Sequence, residues 1–362
     1  MDISKQFEEY SKSKKSVAIY GAGIVGYGIC EALEVVYGIE TQSYITSELP
    51  ANGCFAGKKL YSVMNLPSDI KGLLIVVATP EVYHGAIAQE IRENKISQYC
   101  FLTYMDIYEV MRRFYAKEYL FESLEDLNIQ DSIFDGVDLT CSIFMAKHVN
   151  DIQLKNSYRI PDFIRPIQAG ALLSERKTDA LGDDQGDNIS SKNNTYSELT
   201  VTYWVWKNCH SDYKGICHYR RFLDLSSTDY QNIFRKHIDA VLPLPYLCLT
   251  DSSFQWKRYV AEDDMSLLLK TMGSEDRKAT EDILSYRYIY NHNLVLAKQD
   301  VFDDYCSWIF GILFHAEEAF IDRDGGLKPR LMGYLGEILT SAYFSEREKL
   351  IRIVHAPECW MT

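Results

Sequence analysis

The chain has 362 residues, 47% apolar and 25% charged, which is the profile of an ordinary soluble globular protein with room for two domains. Its net charge of −13 argues against nucleic acid as the main partner, because basic surfaces bind phosphate backbones. Nine cysteines without a CxxC pair indicate free thiols in a reducing compartment, with no disulfide framework and no zinc site. No secretory signal or run of ~18 apolar residues is found. We expect a cytoplasmic protein, with peripheral attachment to the inner face of the membrane as an option.

The first hundred residues alternate between strand-like and helix-like segments. Such alternation indicates a parallel sheet with right-handed crossovers. We therefore predict an α/β fold that begins with a small Rossmann-like domain over residues 1–104. In chain order, the predicted elements are strand 16–23, helix 24–38, strand 41–46, strand 72–79, helix 81–94 and strand 98–103.

Residues 105–138 have a helical pattern without strand character, and we interpret them as a helical connector. A second α/β domain is predicted over residues 139–362. Its predicted elements are strand 142–149, loop 179–195, helix 196–208, strand 213–219, strand 239–245 and strand 288–298, with the rest mostly helical.

The first strand runs into "YGAGIVG", where Gly21, Gly23 and Gly26 have the G-x-G-x-x-G spacing of a dinucleotide-binding turn. The acidic residue that would hold the ribose is missing, because Thr46 and Ser47 stand at its expected position. The glycines either pack helix against strand or bind a nucleotide or phosphate, and NAD is disfavoured. Residues 15–103 loosely resemble Rossmann-like modules appended to bacterial sugar-modifying and polysaccharide-assembly enzymes.

The segment "LGDDQGDNIS" concentrates polar residues in a glycine-containing turn. Clustered carboxylates repel one another unless a cation or hydrogen-bond donors satisfy them. The alternative is a solvated turn that caps the following helix. Its candidate residues are Asp183, Asp184, Asp187, Asn188 and Ser190.

The segment "YKGICHYRRF" places His218, Arg220 and Arg221 at the end of an apolar strand. Arginine has a planar fork of donors that suits phosphate. Because successive side chains of a strand point to opposite faces, we expect His218 and Arg220 to share a face, unless the strand has already ended. One arginine could instead pair with the acidic turn.

The segment "RLMGYLGEIL" places Arg330 and Glu337 on one face of a predicted helix. Gly333 and Gly336 weaken that helix and indicate the close approach of another group. Glu337 is either a paired buried acid or a general base.

Four blocks in this order, 166–175, 181–208, 213–222 and 330–339, resemble a family of bacterial capsule and exopolysaccharide glycosyltransferases long classified as a domain of unknown function. The resemblance extends over about residues 142–355. It is weaker towards the end, where His292 and Asn293 interrupt an apolar block and "GEIL" replaces the family's "ERL".

The resemblance implies a GT-A-like fold that binds a nucleotide-sugar. No D-x-D motif follows the buried strand, where a Mn²⁺ or Mg²⁺ ion would be held, and "HYR" stands there instead. We hypothesise that His218, Arg220 and Arg221 replace some or all of the metal's work on the diphosphate. The candidate donor-binding residues are His148, Asp183, Asn188, His218, Arg220, Arg221 and Arg330. The candidate catalytic residues are Asp184, Asp187 and Glu337.

The main prediction is hexosyl transfer from a UDP-sugar, with UDP-galactofuranose as one candidate, to a glycan or lipid-linked glycan. One alternative is an NAD-dependent enzyme that modifies sugar nucleotides. The other is a non-catalytic scaffold in polysaccharide assembly.

Overall fold

A computed structural model of the chain describes residues 2–48, 53–127, 139–151, 160–176, 178, 180–323 and 326–360. The chain forms two compact units, one of Met1–Phe121 with Tyr246–Leu249 and one of Glu122–Pro245 with Thr250–Thr362. The predicted α/β class is confirmed. The last part of the predicted connector, residues 128–138, lies outside the described residues. No described helix is long and apolar enough to cross a membrane.

The N-terminal unit is built on a six-stranded sheet with the order β3-β4-β2-β1-β5-β6. All neighbours are parallel except the β3–β4 hairpin. The strands are β1 (Val17–Tyr20), β2 (Thr41–Thr46), β3 (Cys54–Phe55), β4 (Lys58–Ser62), β5 (Leu74–Val77) and β6 (Tyr99–Phe101). The helices are α1 (Ile3–Ser11), α2 (Ile24–Tyr37), α3 (Ser68–Lys71), α4 (His84–Glu93) and α5 (Tyr104–Tyr119).

The helix predicted as a connector is α5, and it belongs to the N-terminal unit. It begins with a capping box between Thr103 and Asp106. It packs against α1 and α2, and Gly28 of α2 lets the Met111 side chain approach, since a Cβ there would lie 3.2 Å from the Met111 sulfur.

Two of the three glycines in the turn after β1 are explained by packing. Gly21 has φ +127°, and a Cβ there would lie 2.7 Å from the carbonyl oxygen of Ala78. A Cβ on Gly26 would lie 1.9 Å from the carbonyl oxygen of Gly21. Gly23 precedes α2, and a Cβ there would meet nothing within 4 Å. Nucleotide binding by this turn therefore stays a prediction.

The C-terminal unit is built on a ten-stranded sheet whose main path is β10-β9-β8-β11-β16-β13-β17-β7, with β12 beside β11 and β18 beside β12. Two further strands, β14 and β15, lie outside this sheet. The strands after residue 121 are β7 (Glu122–Ser123), β8 (Cys141–Lys147), β9 (Ile164–Gln168), β10 (Leu181–Gly182), β11 (Tyr213–His218), β12 (Arg221–Leu223), β13 (Ala240–Pro243), β14 (Tyr246–Leu247), β15 (Tyr288–Ile289), β16 (Val295–Lys298), β17 (Ile353–Ala356) and β18 (Glu358–Trp360). Of these, β14 lies in the N-terminal unit, against α2. The remaining helices are α6 (Asn193–Tyr196), α7 (Leu199–Asn208), α8 (Ser227–Arg235), α9 (Ser253–Trp256), α10 (Glu262–Thr271), α11 (Ser274–Ser285), α12 (Gln299–Ile321) and α13 (Leu331–Arg347).

Three chain segments meet where the parallel strands β8 and β11 end. β8 and β11 are parallel, and His218 at the end of β11 pairs with Ala146 near the end of β8. β16 is antiparallel to β11 and begins beside it, where Val295 pairs with Ile216. The predicted strand 288–298 is broken just before this point, because His292 and Asn293 have φ angles of +74° and +49°. The loop that contains His292 and Asn293 therefore lies at the same end of β11.

Helix α13 packs closely on the start of α7 through its two glycines. A Cβ on Gly333 would lie 3.1 Å from the Ser197 hydroxyl oxygen, and one on Gly336 would lie 2.6 Å from Leu199 Cδ1. Leu199 is fully buried. The close approach expected from these glycines is thus that of a neighbouring helix.

We expect Gly336→Ala to lower the free energy of unfolding by about 1–2 kcal/mol, because overpacking outweighs the gain in helix propensity. Urea denaturation of the whole chain would measure this change. The control is Gly311→Ala in α12, where a Cβ would meet nothing within 4 Å. That variant should gain about 0.5–1 kcal/mol. Equal effects in the two variants would contradict the packing argument.

Candidate active site

The hairpin between β11 and β12 decides which side chains of "CHYRRF" lie together. β11 ends at His218, the chain reverses through Tyr219 and Arg220, and β12 begins at Arg221. His218 and Arg221 are directly opposite each other in this antiparallel pair. Opposite residues share a face of the sheet. The expected pairing of His218 with Arg220 is therefore wrong, because the strand ends before its alternation can place Arg220.

The C-terminal strand extends this face. Trp360 of β18 is the partner of Arg221 on β12, and the guanidinium of Arg221 lies 5.0 Å from the centre of the indole ring. Glu358 is on the same face as Trp360, two residues earlier in the strand. Its Oε1 atom is 3.8 Å from Nε of Arg221. One of the two arginines thus has an acidic neighbour, although not the acidic turn considered in the sequence.

His292 completes the arrangement from the loop before β16. Its Nδ1 lies 2.9 Å from Oε1 of Glu358, and its ring stands edge-on to Trp360 with centroids 5.8 Å apart. We define the strand-end cluster as His218, Arg220, Arg221, His292, Glu358 and Trp360.

His218 is not a cation in this cluster. Burial, together with the positive charges of Arg221, Arg220, His292 and Arg330, lowers the pKa of His218 to about 3. The imidazole is neutral at neutral pH, whereas the sequence indicated a third positive charge. Its Nδ1 faces the backbone N–H of Arg220 at 3.5 Å, so Nδ1 is the acceptor and Nε2 holds the proton.

The two arginines have donors that the described residues leave unsatisfied. Nε of Arg220 and Nε of Arg221 are both buried, and neither donates a hydrogen bond to any described residue. The guanidinium of Arg220 stacks 5.1 Å from the centre of the Tyr219 ring. Since buried donors without partners are costly, an anion that accepted their hydrogen bonds would be stabilised here.

Glu337, on α13, is within electrostatic reach of the cluster. Burial raises the pKa of Glu337 to about 7, and the charge of Glu198 adds to this, while His292 and Arg221 oppose it. Glu198 precedes α7 and accepts a 2.7 Å hydrogen bond from Nδ2 of Asn293. The carboxyl of Glu337 is therefore poised to exchange a proton near neutral pH.

Two further predicted donor-binding residues, Arg330 and His148, interact electrostatically with residues of the strand-end cluster or their neighbours. Arg330 precedes α13, is exposed, and places its guanidinium 5.0 Å from the ring of Tyr334. His148 follows β8, and its backbone N–H donates a 2.7 Å hydrogen bond to Asp151. Burial raises the pKa of Asp151, partly offset by the charges of His148, Lys147 and Arg220. Asp151 thus connects the end of β8 electrostatically with the cluster.

Asp183, a predicted donor-binding residue, has a structural position. The side chain is fully buried, and both oxygens are occupied by donors from the chain itself. The four donors are the backbone N–H groups of Gly170 and Ala171 and the hydroxyls of Ser190 and Thr200, at 2.5–2.9 Å. This carboxylate joins the loop after β9 to the start of α7.

The rest of the acidic turn packs along α7. Asp187 accepts a 3.2 Å hydrogen bond from the Tyr203 hydroxyl, and its backbone pairs with the Asn208 side chain. Asn208 ends α7, whereas Glu198, the neighbour of Glu337, precedes it. Ten residues of helix separate these points by about 15 Å. The structure thus places Asp187 away from Glu337, and a catalytic role for it has no support from this geometry.

The two remaining residues of the turn have local contacts. Nδ2 of Asn188 donates to the carbonyl of Gly186, and its Oδ1 accepts from the N–H of Ser190. Asp184 accepts a 3.2 Å hydrogen bond from Gln185. These contacts resemble the capping turn considered in the sequence, and the proposed roles of both residues stay predictions.

Several residues of the site gave no signal in the sequence. Glu358 and Trp360 lie in a short C-terminal strand that follows no motif, and Glu198 is one acid among many. His292 was noticed only as a departure from the family pattern. Pairing of β18 with β12 brings Glu358 and Trp360 to the site, and the loop before β16 contacts Glu358 through His292 and Glu198 through Asn293.

The donor set at the strand end does not suit a divalent metal. No group of three or more His, Cys, Asp or Glu in the described part of the chain could hold a metal ion. Mg²⁺ and Mn²⁺ prefer several oxygen ligands, whereas the strand-end cluster has the single carboxylate of Glu358 beside two arginines and two imidazoles.

We expect Asp183→Asn to lower the free energy of unfolding by about 2–4 kcal/mol, because the amide cannot accept all four buried hydrogen bonds. Asp187→Asn, an equally conservative change at an exposed position of the same turn, should stay within about 0.5 kcal/mol of the wild type. Urea denaturation would measure both. A donor-binding role for Asp183 without a structural one predicts the opposite: unchanged stability with weaker UDP binding.

Comparison with known proteins supports a shared fold. The chain is similar to the apo structure of WbbM, a bifunctional glycosyltransferase, with a TM-score of 0.53 and 24% identity. The match covers 62% of this chain and 45% of that one, so this chain spans less than half of that protein's length. No curated protein matches the chain. Residues 143–348 match the family described as a domain of unknown function, DUF4422. Because this match covers more than half of its residues, the chain belongs to the DUF4422 family.

Proposed function

We propose that the chain is a glycosyltransferase that moves a hexose from a UDP-sugar to a glycan or lipid-linked glycan acceptor, in capsule or exopolysaccharide synthesis at the cytoplasmic face of the membrane. The observation behind this proposal is the strand-end cluster. It offers two arginines with buried unpaired donors at the carboxyl ends of parallel strands, where α/β proteins bind their ligands. The similarity to a bifunctional glycosyltransferase and the family resemblance support the same function.

The arginines stabilise the leaving group in this mechanism. When the bond between the sugar and the diphosphate breaks, negative charge grows on the departing UDP. Fixed positive charges of Arg220, Arg221 and Arg330 in a partly buried site oppose that charge more strongly than water would. A chain with a net charge of −13 needs such a local concentration of cations to hold an anion. The neutral His218 adds a hydrogen-bond donor at Nε2.

Glu337 is the general base in this proposal. A carboxyl with a pKa of about 7 can accept the proton of an acceptor hydroxyl at neutral pH and release it afterwards. The charges of His292 and Arg221 act on its pKa, which connects Glu337 with the strand-end cluster.

We expect the chain to bind UDP in EDTA, and Arg221→Ala to weaken that binding about tenfold or more, because a charge-assisted hydrogen bond is lost. Isothermal calorimetry would measure both. The matched control is Arg347→Ala, which removes the same charge from a side chain that stacks 4.0 Å from the ring of Tyr343. Binding that requires added Mn²⁺, or an equal loss in the control, would contradict the arginine mechanism.

We expect the rate of UDP release with a supplied acceptor to rise with pH through about 7, as Glu337 loses its proton. Glu337→Gln should lower turnover about 10²–10⁴-fold and leave UDP affinity within a factor of about two, since only proton transfer is removed. A pH–rate profile of both proteins measures this. Turnover that is unaffected by the substitution would reject Glu337 as the base.

The same pKa shift affects stability. The folded-state pKa of about 7 lies above the ordinary value of 4.5, so the folded chain binds more protons between these two pH values. The wild type should therefore lose stability relative to Glu337→Gln as the pH rises through this window. Denaturation at pH 5 and pH 8 would show the difference, and a constant difference would contradict the raised pKa.

A further inference from the structure

A narrow cavity lies beside Glu337, within the C-terminal unit. Its walls include Gln255, Trp256, Tyr259, Tyr334 and Glu337. The cavity measures about 10 Å³, which is room for a single water-sized group. A sugar hydroxyl has this size.

The cavity wall contains one acceptor and one donor that lack partners. Oε1 of Gln255 and Nε1 of Trp256 are buried, and neither forms a hydrogen bond with any part of the chain that the structure describes. The two residues are only 9% and 7% exposed. Buried polar atoms are almost always paired in folded proteins, so two unpaired atoms on residues that line one small cavity point to a missing ligand group. A hydroxyl both donates and accepts, and it would satisfy both atoms at once.

The rim of the cavity is aromatic. Tyr259 is 49% exposed, and its ring stacks on that of Tyr334 with centroids 5.0 Å apart and an angle of 20°. The guanidinium groups of Arg258 and Arg330 lie 5.8 and 5.0 Å from these two rings. This stack keeps Tyr259 in place at the opening. An exposed aromatic ring with a polar edge offers contact to the C–H face of a pyranose or furanose.

We propose that this cavity and its tyrosine rim form the acceptor subsite. The ring of the acceptor sugar packs on Tyr259, and one hydroxyl enters the cavity between Gln255 and Trp256. The reacting hydroxyl of the same ring then lies at the carboxylate of Glu337. This inference rests on the proposed glycosyl transfer and adds the class of acceptor group and the residues that select it.

The chemical step balances within this arrangement. The acceptor oxygen forms a bond with the anomeric carbon of the donor, and its proton passes to Glu337. The bond between that carbon and the diphosphate oxygen breaks, and the electron pair leaves with UDP. The strand-end cluster, whose charges reach Glu337, holds the departing diphosphate.

Two substitutions separate ligand binding from folding. Gln255→Met removes the unpaired amide oxygen with little change in shape. Trp256→Phe removes the unpaired indole N–H together with part of a buried ring. Because the deleted amide oxygen has no partner among the described residues, Gln255→Met should leave the thermal midpoint of unfolding unchanged or raise it. Trp256→Phe leaves a cavity but breaks no hydrogen bond of the described chain, so it should lower the midpoint less than Trp308→Phe does. Trp308→Phe is the matched control: the indole N–H of Trp308 donates a 2.7 Å hydrogen bond to Asp276, so its loss should lower the midpoint.

The test measures binding of methyl glycosides of galactose, glucose, mannose and rhamnose to the UDP-bound chain by saturation-transfer NMR. We expect at least one glycoside to bind, and Trp256→Phe, Gln255→Met and Tyr259→Ala each to weaken it about three- to tenfold. The three cavity variants should bind UDP as tightly as the wild type does. The control Trp308→Phe should bind glycosides as tightly as the wild type does.

The outcomes are distinguishable. If the wild type does not bind UDP, the proposed function fails, and this inference fails with it. If UDP binds but no glycoside binds, or if the cavity variants bind glycosides as well as the wild type does, the acceptor subsite alone is overturned. A lower thermal midpoint in Gln255→Met with unchanged glycoside binding would assign the cavity to a structural water and would also overturn the acceptor subsite.

Discussion

The site depends on one backbone feature, the reversal of the chain immediately after His218. Because the strand ends there, Arg221 returns opposite His218 and the two side chains share a face. The new strand then pairs with the C-terminal strand, which brings Trp360 and Glu358 to Arg221. Had β11 continued by two residues, Arg221 would point to the other face, and the C-terminal strand would have no partner here.

Burial and charge combine differently at His218 and at Glu337. For His218 they agree: burial and the nearby cations both lower its pKa, so the imidazole is neutral. For Glu337 they compete, since His292 and Arg221 lower its pKa while burial and Glu198 raise it to about 7. Burial therefore outweighs the nearby positive charge at Glu337. Its pKa stays near neutral, where a carboxylate can act as a general base.

The sequence was informative where the signal is local. Alternating apolar segments predicted the α/β class and the main N-terminal strands, and the charge anomaly at "CHYRRF" located the cluster. It failed where the answer depends on distant pairing. The sequence showed that the clustered carboxylates need a cation or hydrogen-bond donors, but it could not show that the four donors to Asp183 come from separate segments of the chain. The end of β11 is likewise set by pairing with strands near the C-terminus, so the alternation rule could not place Arg221.

Buried polar atoms are hydrogen-bonded differently at Asp183 and near Glu337. Asp183 shows that this fold can satisfy a buried carboxylate completely when its role is structural. Near Glu337, by contrast, Nε of Arg220 and Nε of Arg221 form no hydrogen bond with the described residues. The same holds for an acceptor of Gln255 and a donor of Trp256, two residues that line the adjoining cavity. The first pair is cationic and suits a diphosphate, whereas the second is neutral and suits a hydroxyl. The arginine donors thus suit the charged leaving group, and the atoms beside the cavity suit the neutral acceptor. Glu337 lines the cavity and is within electrostatic reach of the arginines.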